Sequence, residues 1–338
     1  MPDPSDSTFD PADREILARY WYPVARTADV GNAPLPVVLL DERLVVYRAD
    51  GEIVVAGDIC PHRGVPLSLG SGDGTGVSCA YHGLKFGAGG RCVAVPAHPE
   101  AKIPDRMRLT THPAVVRYGL VWTCLRPGAG QAPPEMIHWD DPGFQQVTCP
   151  GIDIAAFAGR QVEGFIDVAH FAFVHAGSFA DPANTEVPDY RTARNDRGFS
   201  ADYWSTVANY PHATGLKSPE GFRWLRRFDV DLPFTAQLVV HFPEGGRLNI
   251  LNAASPVSAR RTRMFCPIAK NFATEQPAAE IEAFNRQIFE EDREIVEVQR
   301  PENLPLDPRI EVNIPADRSS VAYRRGLRDL GLSHFFTA

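Results

Sequence analysis

Two short runs carry residue types that chemistry can use together. Cys60-Pro61-His62-Arg63-Gly64 is followed, with sixteen residues between His62 and Cys79, by Cys79-Ala80-Tyr81-His82-Gly83. Each run supplies one thiol and one imidazole. A lone residue of either kind is most often an ordinary core side chain, but four in two glycine-punctuated loops suit a metal. Two thiolates and two imidazoles fit tetrahedral zinc, although zinc spacing usually puts both cysteines in one loop and both histidines in another. One of each per loop instead suits a [2Fe–2S] cluster whose first iron takes both thiolates and whose second takes both imidazoles. Cys92, Cys124, Cys149 and Cys266 fall outside the pattern and read as ordinary thiols.

A second set lies further on, in Glu163-Gly164-Phe165-Ile166-Asp167-Val168-Ala169-His170-Phe171-Ala172-Phe173-Val174-His175. On a helix Asp167 and His170 share a face, while His170 and His175 stand about 140° apart, so joint ligation requires the helix to distort or end between them. Asp292 interrupts an apolar stripe of Ile281, Phe284, Ile288 and Ile295, and its neighbours Glu290, Glu291 and Arg293 are expected to face water. A carboxylate turned toward a core is costly unless paired or metal-bound. His170, His175 and Asp292 are the types of a facial triad that leaves coordination positions open on Fe(II), with a buried arginine partner as the competing account of Asp292.

The elements that must position these residues differ along the chain. Short β-like runs joined by tight turns occupy Val37–Val55, Phe86–Cys92 and Val115–Trp122, giving a small all-β domain. Arg126–Pro134 has linker composition. Beyond it, Gln161–His175 is predicted helical, Phe222–Ile268 alternates as an antiparallel sheet and Pro277–Gln299 as a helix packed on that sheet, an α+β domain. The expected division is an arm over 1–19, a cluster domain over 20–128 and a catalytic domain over 129–338.

Composition narrows the rest. The 338 residues include 27 glycines and 30 prolines, too many for a helical bundle, and the net charge of −8 disfavours nucleic acid or an anionic membrane as partner. Six cysteines are too dilute for a disulfide scaffold, no run is long and apolar enough to cross a membrane, and the polar, acidic N-terminus lacks a signal-peptide pattern, so a cytoplasmic location is expected.

Both constellations, in this order, resemble the Rieske non-haem iron oxygenases, and the resemblance covers nearly the whole chain. The loops are similar to the Rieske domain of the bacterial oxygenases; Val65 and Tyr81 stand where respiratory Rieske proteins carry two further, disulfide-forming cysteines. Asp167, His170 and His175 match the family's Asp-x2-His-x4-His motif. Ala316–Arg325 resembles the tail of the single-subunit branch that includes vanillate O-demethylase, dicamba monooxygenase and the methylxanthine N-demethylases. The family commonly has Glu-Asn before the aspartate, where this chain has Glu163-Gly164, which implies an altered pocket rather than loss of iron.

The resemblance implies a Rieske domain followed by a helix-grip-type catalytic domain, with Cys60, His62, Cys79 and His82 on a [2Fe–2S] cluster and His170, His175 and Asp292 on a mononuclear Fe(II) that uses O2. It implies a homotrimer in which His82 meets Asp167 of the next subunit, an NAD(P)H-dependent reductase or ferredoxin as electron source, and hydroxylation of an O-, N- or C-methyl group on an aromatic or heteroaromatic substrate. Ring dihydroxylation and a bare Rieske electron carrier are the alternatives. By position, Phe165, Phe171, Phe179, His241, Asn249, Phe284 and Ile288 are the candidate substrate walls.

Overall fold

The computed structural model describes residues 8–128, 132–307 and 309–332. It divides into two compact units, Met1–Pro133 and Pro134–Ala338, a division inside the linker-like stretch. Residues 129–131, where the sequence reading starts the second domain, lie outside the described residues. Residues 8–19, assigned from sequence to an arm, carry helix α1 (Pro11–Leu17), which opens with Asp10 accepting from the Ala12 N–H and ends on a fully buried Leu17.

The first unit is β-rich because its apolar residues come in short runs broken by turn residues. Strands Leu35–Leu39, Glu42–Ala49, Glu52–Gly57 and Thr111–His112 form one antiparallel sheet, and Ser71–Gly72, Val77–Ser78, Lys85–Phe86 and Cys92–Ala94 another. Tyr22–Arg26, Leu120–Thr123 and Ala114–Arg117 form a third. One core of Val45, Tyr47, Val54, Leu67, Phe86 and Leu109 includes both Cys60 and Cys79.

The second unit is built on a nine-stranded antiparallel sheet whose centre is Trp224–Asp231, Thr235–His241 and Arg247–Ser258. Helices α2 (Ala158–Ile166), α3 (Phe171–Val174), α4 (Ala278–Val296) and α5 (Arg318–Asp329) accompany it. The whole is α+β, a small β domain followed by an antiparallel sheet with packed helices. The helix expected over Gln161–His175 is in fact two. It stops at Ile166, Asp167 turns extended (φ −73°, ψ 135°), and a single turn resumes between His170 and His175.

In α4 the buried face runs through Ile281, Asn285, Phe289 and Val296, a regular helical spacing, whereas Ile295 of the expected stripe is 48% exposed. Gly164 permits close packing of α2 on α4, since a Cβ there would lie 3.3 Å from Val296. A buried ionic knot ties α2 to α5. Arg324 grips Glu163 with Nε and Nη2 at 2.5 and 2.7 Å, and Glu311 bridges Arg324 and Arg160 at 2.6 and 2.7 Å. Tyr323, fully buried, donates to the Pro233 carbonyl at 2.7 Å. Among the described residues no helix is long and apolar enough to cross a membrane.

Candidate metal centres

The Cys-x-His and Cys-x2-His loops share one backbone pattern. Cys60 N–H donates to Val65 O at 2.8 Å and Gly64 N–H to Cys60 O at 2.9 Å; Cys79 N–H donates to Leu84 O at 2.9 Å and Gly83 N–H to Cys79 O at 3.0 Å. Each turn closes through a glycine in the left-handed region, Gly64 at φ 73° and Gly83 at φ 67°. That conformation is why the spacing ends in glycine. The turns seat both thiols in the core and carry both imidazoles outward, with the His62 and His82 rings 4.6 Å apart between centroids and His82 exposed.

The donor set fits a cluster. His62 Nδ1 is enclosed and has no hydrogen-bond partner, and burial, followed by Arg63 and His82, pulls the imidazole below its ordinary pKa, so the lone pair is available. Burial pushes the Cys60 thiol up, so its thiolate form calls for an adjacent cation such as a cluster iron.

In the second unit three atoms converge. His170 Nε2 and His175 Nε2 are 3.1 Å apart, and Asp292 Oδ1 lies 3.4 Å from the first and 3.1 Å from the second. Donors about 2.1 Å from one ion at right angles are about 3 Å apart, so this triangle fits one face of an octahedral metal. The break after Ile166 makes it possible: His170 and His175 cap opposite ends of a one-turn helix and aim at a common point. Burial depresses the His170 pKa, but the Asp167 and Asp292 carboxylates raise it further, to about 9. Burial raises Asp292, yet hydrogen bonds from the two histidines hold it below its ordinary value.

Asp167 Oδ2 sits 3.5 Å from His170 Nδ1, while its Oδ1 accepts from the Ala169 N–H at 2.7 Å. Glu291, expected in water, is instead 2.8 Å from His175 Nδ1 and accepts from Ser178 Oγ at 2.8 Å. It therefore directs Nε2 of His175 to the common point. Sequence reasoning missed it because the histidine it serves is 116 residues away.

Beside the triangle lies a cavity of about 690 Å³, its mouth included, lined in part by Phe165, Phe171, Phe179, Phe284 and Ile288. Two expected walls are corrected. His241 and Asn249 are not among its lining residues, because successive strand residues face opposite ways. Leu248 and Ile250 reach the cavity, whereas the fully buried Asn249 between them bonds Ile137 O and Gln237 Oε1 on the other face. Asn209, Leu238, Asn285 and Phe289 also line it. Strand parity signalled Leu248 and Ile250; no local signal marked Asn209.

A cluster-type pair of loops on a β domain and a two-histidine, one-carboxylate site on an α+β domain define an iron oxygenase with two metal centres. The comparisons agree. Residues 20–113 match the Rieske [2Fe-2S] domain and residues 154–332 the vanillate O-demethylase oxygenase C-terminal domain. The chain is 33% identical to methylxanthine N1-demethylase NdmA of Pseudomonas putida, covering 95% of this chain and 91% of the relative, and 28% identical to methylxanthine N3-demethylase NdmB of the same organism over the same shares. The solved structure of NdmA from Pseudomonas putida CBB5 with caffeine superposes with a TM-score of 0.79 at 30% identity, covering 94% of this chain and 91% of that one. The chain belongs to the Rieske non-haem iron oxygenases, in the vanillate O-demethylase branch, and is an oxidoreductase that uses a Rieske cluster, a mononuclear iron and O2.

Proposed function

We propose that the chain hydroxylates a methyl group on a planar aromatic or heteroaromatic substrate, releasing formaldehyde where the methyl sits on N or O. The observation that carries this is the convergence of His170, His175 and Asp292 beside an apolar, phenylalanine-lined cavity. When bound, the cluster supplies electrons singly and the iron, with positions left open by three protein donors, activates O2. The balance is one C–H bond and O2, with two electrons and two protons, giving one C–OH and one water.

In this reading Cys60 and Cys79 hold one cluster iron, His62 and His82 the other, and His170, His175 and Asp292 the mononuclear iron. Glu291 fixes the tautomer of His175. The phenylalanine walls hold the ring and exclude water from the reacting methyl. Electrons arrive from a separate NAD(P)H-dependent reductase or ferredoxin and leave the cluster through the His82 edge. We assign a head-to-tail homotrimer in which His82 meets Asp167 of the next subunit. The 71% exposure of Phe173, between His170 and His175, and the 66% exposure of Val298 beyond α4 support a covering partner.

Turnover in ¹⁸O₂ tests the reaction. One labelled oxygen in the hydroxymethyl product or formaldehyde is expected, whereas two on adjacent ring carbons would replace this reading with ring dihydroxylation. Iron analysis tests the centres: about three irons per chain are expected, and about two would leave only an electron carrier.

A further inference from the structure

Behind the cavity stands a cation the reaction does not use. Arg226 is fully buried and has no ion pair among the described residues. Its Nη1 donates to Ser205 Oγ at 2.9 Å, and its Nη2 to Val207 O, Ala208 O and Asn209 Oδ1 at 3.1, 3.3 and 3.2 Å. Its Cζ lies 5.6 Å from the centroid of the Phe171 ring, and its Nε has no partner. A buried guanidinium held only by neutral oxygens and a ring face is costly for a fold to retain. What it touches explains the retention: Phe171 and Asn209 are both walls of the cavity.

Hydrogen-bond chemistry fixes which way each cavity amide faces. A guanidinium only donates, so Asn209 gives it Oδ1, which leaves the Asn209 Nδ2 donor for the cavity. Asn285 is set the opposite way. Its Nδ2 donates to the Ile281 carbonyl at 2.8 Å, a group that only accepts, which leaves Oδ1 as an acceptor. Neither Asn209 Nδ2 nor Asn285 Oδ1 has a partner among the described residues. The cavity thus offers one amide donor and one amide acceptor among apolar walls, and no lysine or arginine lines it.

The structure assigns Asn209, positioned by Arg226, as a specificity-determining residue that donates to a neutral ring carbonyl, with Asn285 accepting from a ring N–H, so that the substrate is a methylated cyclic amide or imide. This rests on the methyl-hydroxylation reading. An anionic substrate suits the site less well, because the Arg226 charge stands behind Asn209 and Phe171 while Asp292 and the Asn285 oxygen face the cavity.

The test is anaerobic equilibrium binding to the full-length holoenzyme of three probes: 1-methylquinazoline-2,4-dione, which has both groups, 1-methylnaphthalene, which has neither, and 4-methoxybenzoate. Asn209→Asp, which turns the donor into an acceptor, should weaken the dione on the order of 30-fold and leave 1-methylnaphthalene within about 3-fold. Arg226→Lys keeps the charge but loses the fork, and should weaken the dione alone by about 5-fold, a selectivity that a purely structural arginine would not produce. Retention of about three irons per chain, the one at the triangle included, reports that the second unit of each variant is folded. Equal losses on dione and naphthalene, no loss on either, or tighter wild-type binding of 4-methoxybenzoate than of the dione would each overturn the assignment. Product analysis separates this from the reading beneath it. Asn209-dependent binding of the dione without formaldehyde release defeats methyl hydroxylation and leaves the recognition intact, whereas formaldehyde from 4-methoxybenzoate or the hydroxymethyl product from 1-methylnaphthalene, with dione binding indifferent to Asn209, does the reverse.

Discussion

Cys60 and Cys79 open two five-residue turns that close on themselves, whereas His170 and Asp292 meet across 122 residues of chain. In the loops, backbone hydrogen bonds within six residues and a left-handed glycine dictate where thiol and imidazole point. At the triangle local bonds reach only the two histidines, Val174 N–H donating to His170 O at 2.8 Å and His175 N–H to Phe171 O at 3.0 Å, and none reaches Asp292. A helix break at Asp167 aims the two histidines, and the packing of α4 on α2 brings the carboxylate to them. The cost of failure differs accordingly: the loops depend on turn chemistry, and the triangle depends on everything that fixes one helix against another.

The sharpest way to break this contrast is to remove the carboxylates at the triangle one at a time and follow both centres. Asp292→Ala should lower iron from about three to about two per chain and cut turnover by on the order of 10³-fold or more, with the visible spectrum of the cluster unchanged. Bleaching of that spectrum would show that the centres are not independently built. Asp167→Asn should keep all the iron and still lose nearly as much turnover, because it removes a carboxylate that orients His170 and, in the proposed trimer, receives His82. Full activity in that variant would sink the bridging role.

Smaller effects sharpen the comparison. Glu163→Gln strips one acid from the α2–α5 knot and should cost about 3 kcal/mol, read as a lower urea midpoint, with iron at the triangle released faster than the cluster is lost. Gly83→Ala should cost about 1–2 kcal/mol and act only on the cluster loop, since it forces a side chain into a left-handed turn and brings its Cβ 3.1 Å from Pro96. Gly164→Ala should cost under about 1 kcal/mol, because its single close contact is a Val296 methyl, and should loosen iron but not the cluster.

The difference also explains what could be read in advance. Cys-x-His-x-Gly and Cys-x2-His-Gly state their own geometry, because ligand and turn residue are neighbours. Asp292 is legible as an acid on an apolar stripe, yet the stripe itself is rotated: Asn285, Phe289 and Val296 are buried, Asn285 and Phe289 line the cavity beside Phe284 and Ile288, and Ile295 is exposed. Glu291 reads as a water-facing acid in sequence because its partner, His175, lies on a different element. Asn249 and His241 read as walls in sequence because a strand's identity is visible there before its facing is.

By itself, then, the sequence determined which side chains offer metal donors, the turn geometry of their loops, the α+β order of elements and the family. Only the tertiary structure decided that the helix breaks at Asp167, that Glu291 serves His175, that Arg324 on α5 anchors Glu163, and which amide edges face the cavity. The physical reason is range. Turn dihedrals and hydrophobic period are fixed within a few residues, whereas facing, tautomer and amide orientation are set by partners that only packing brings within 3 Å.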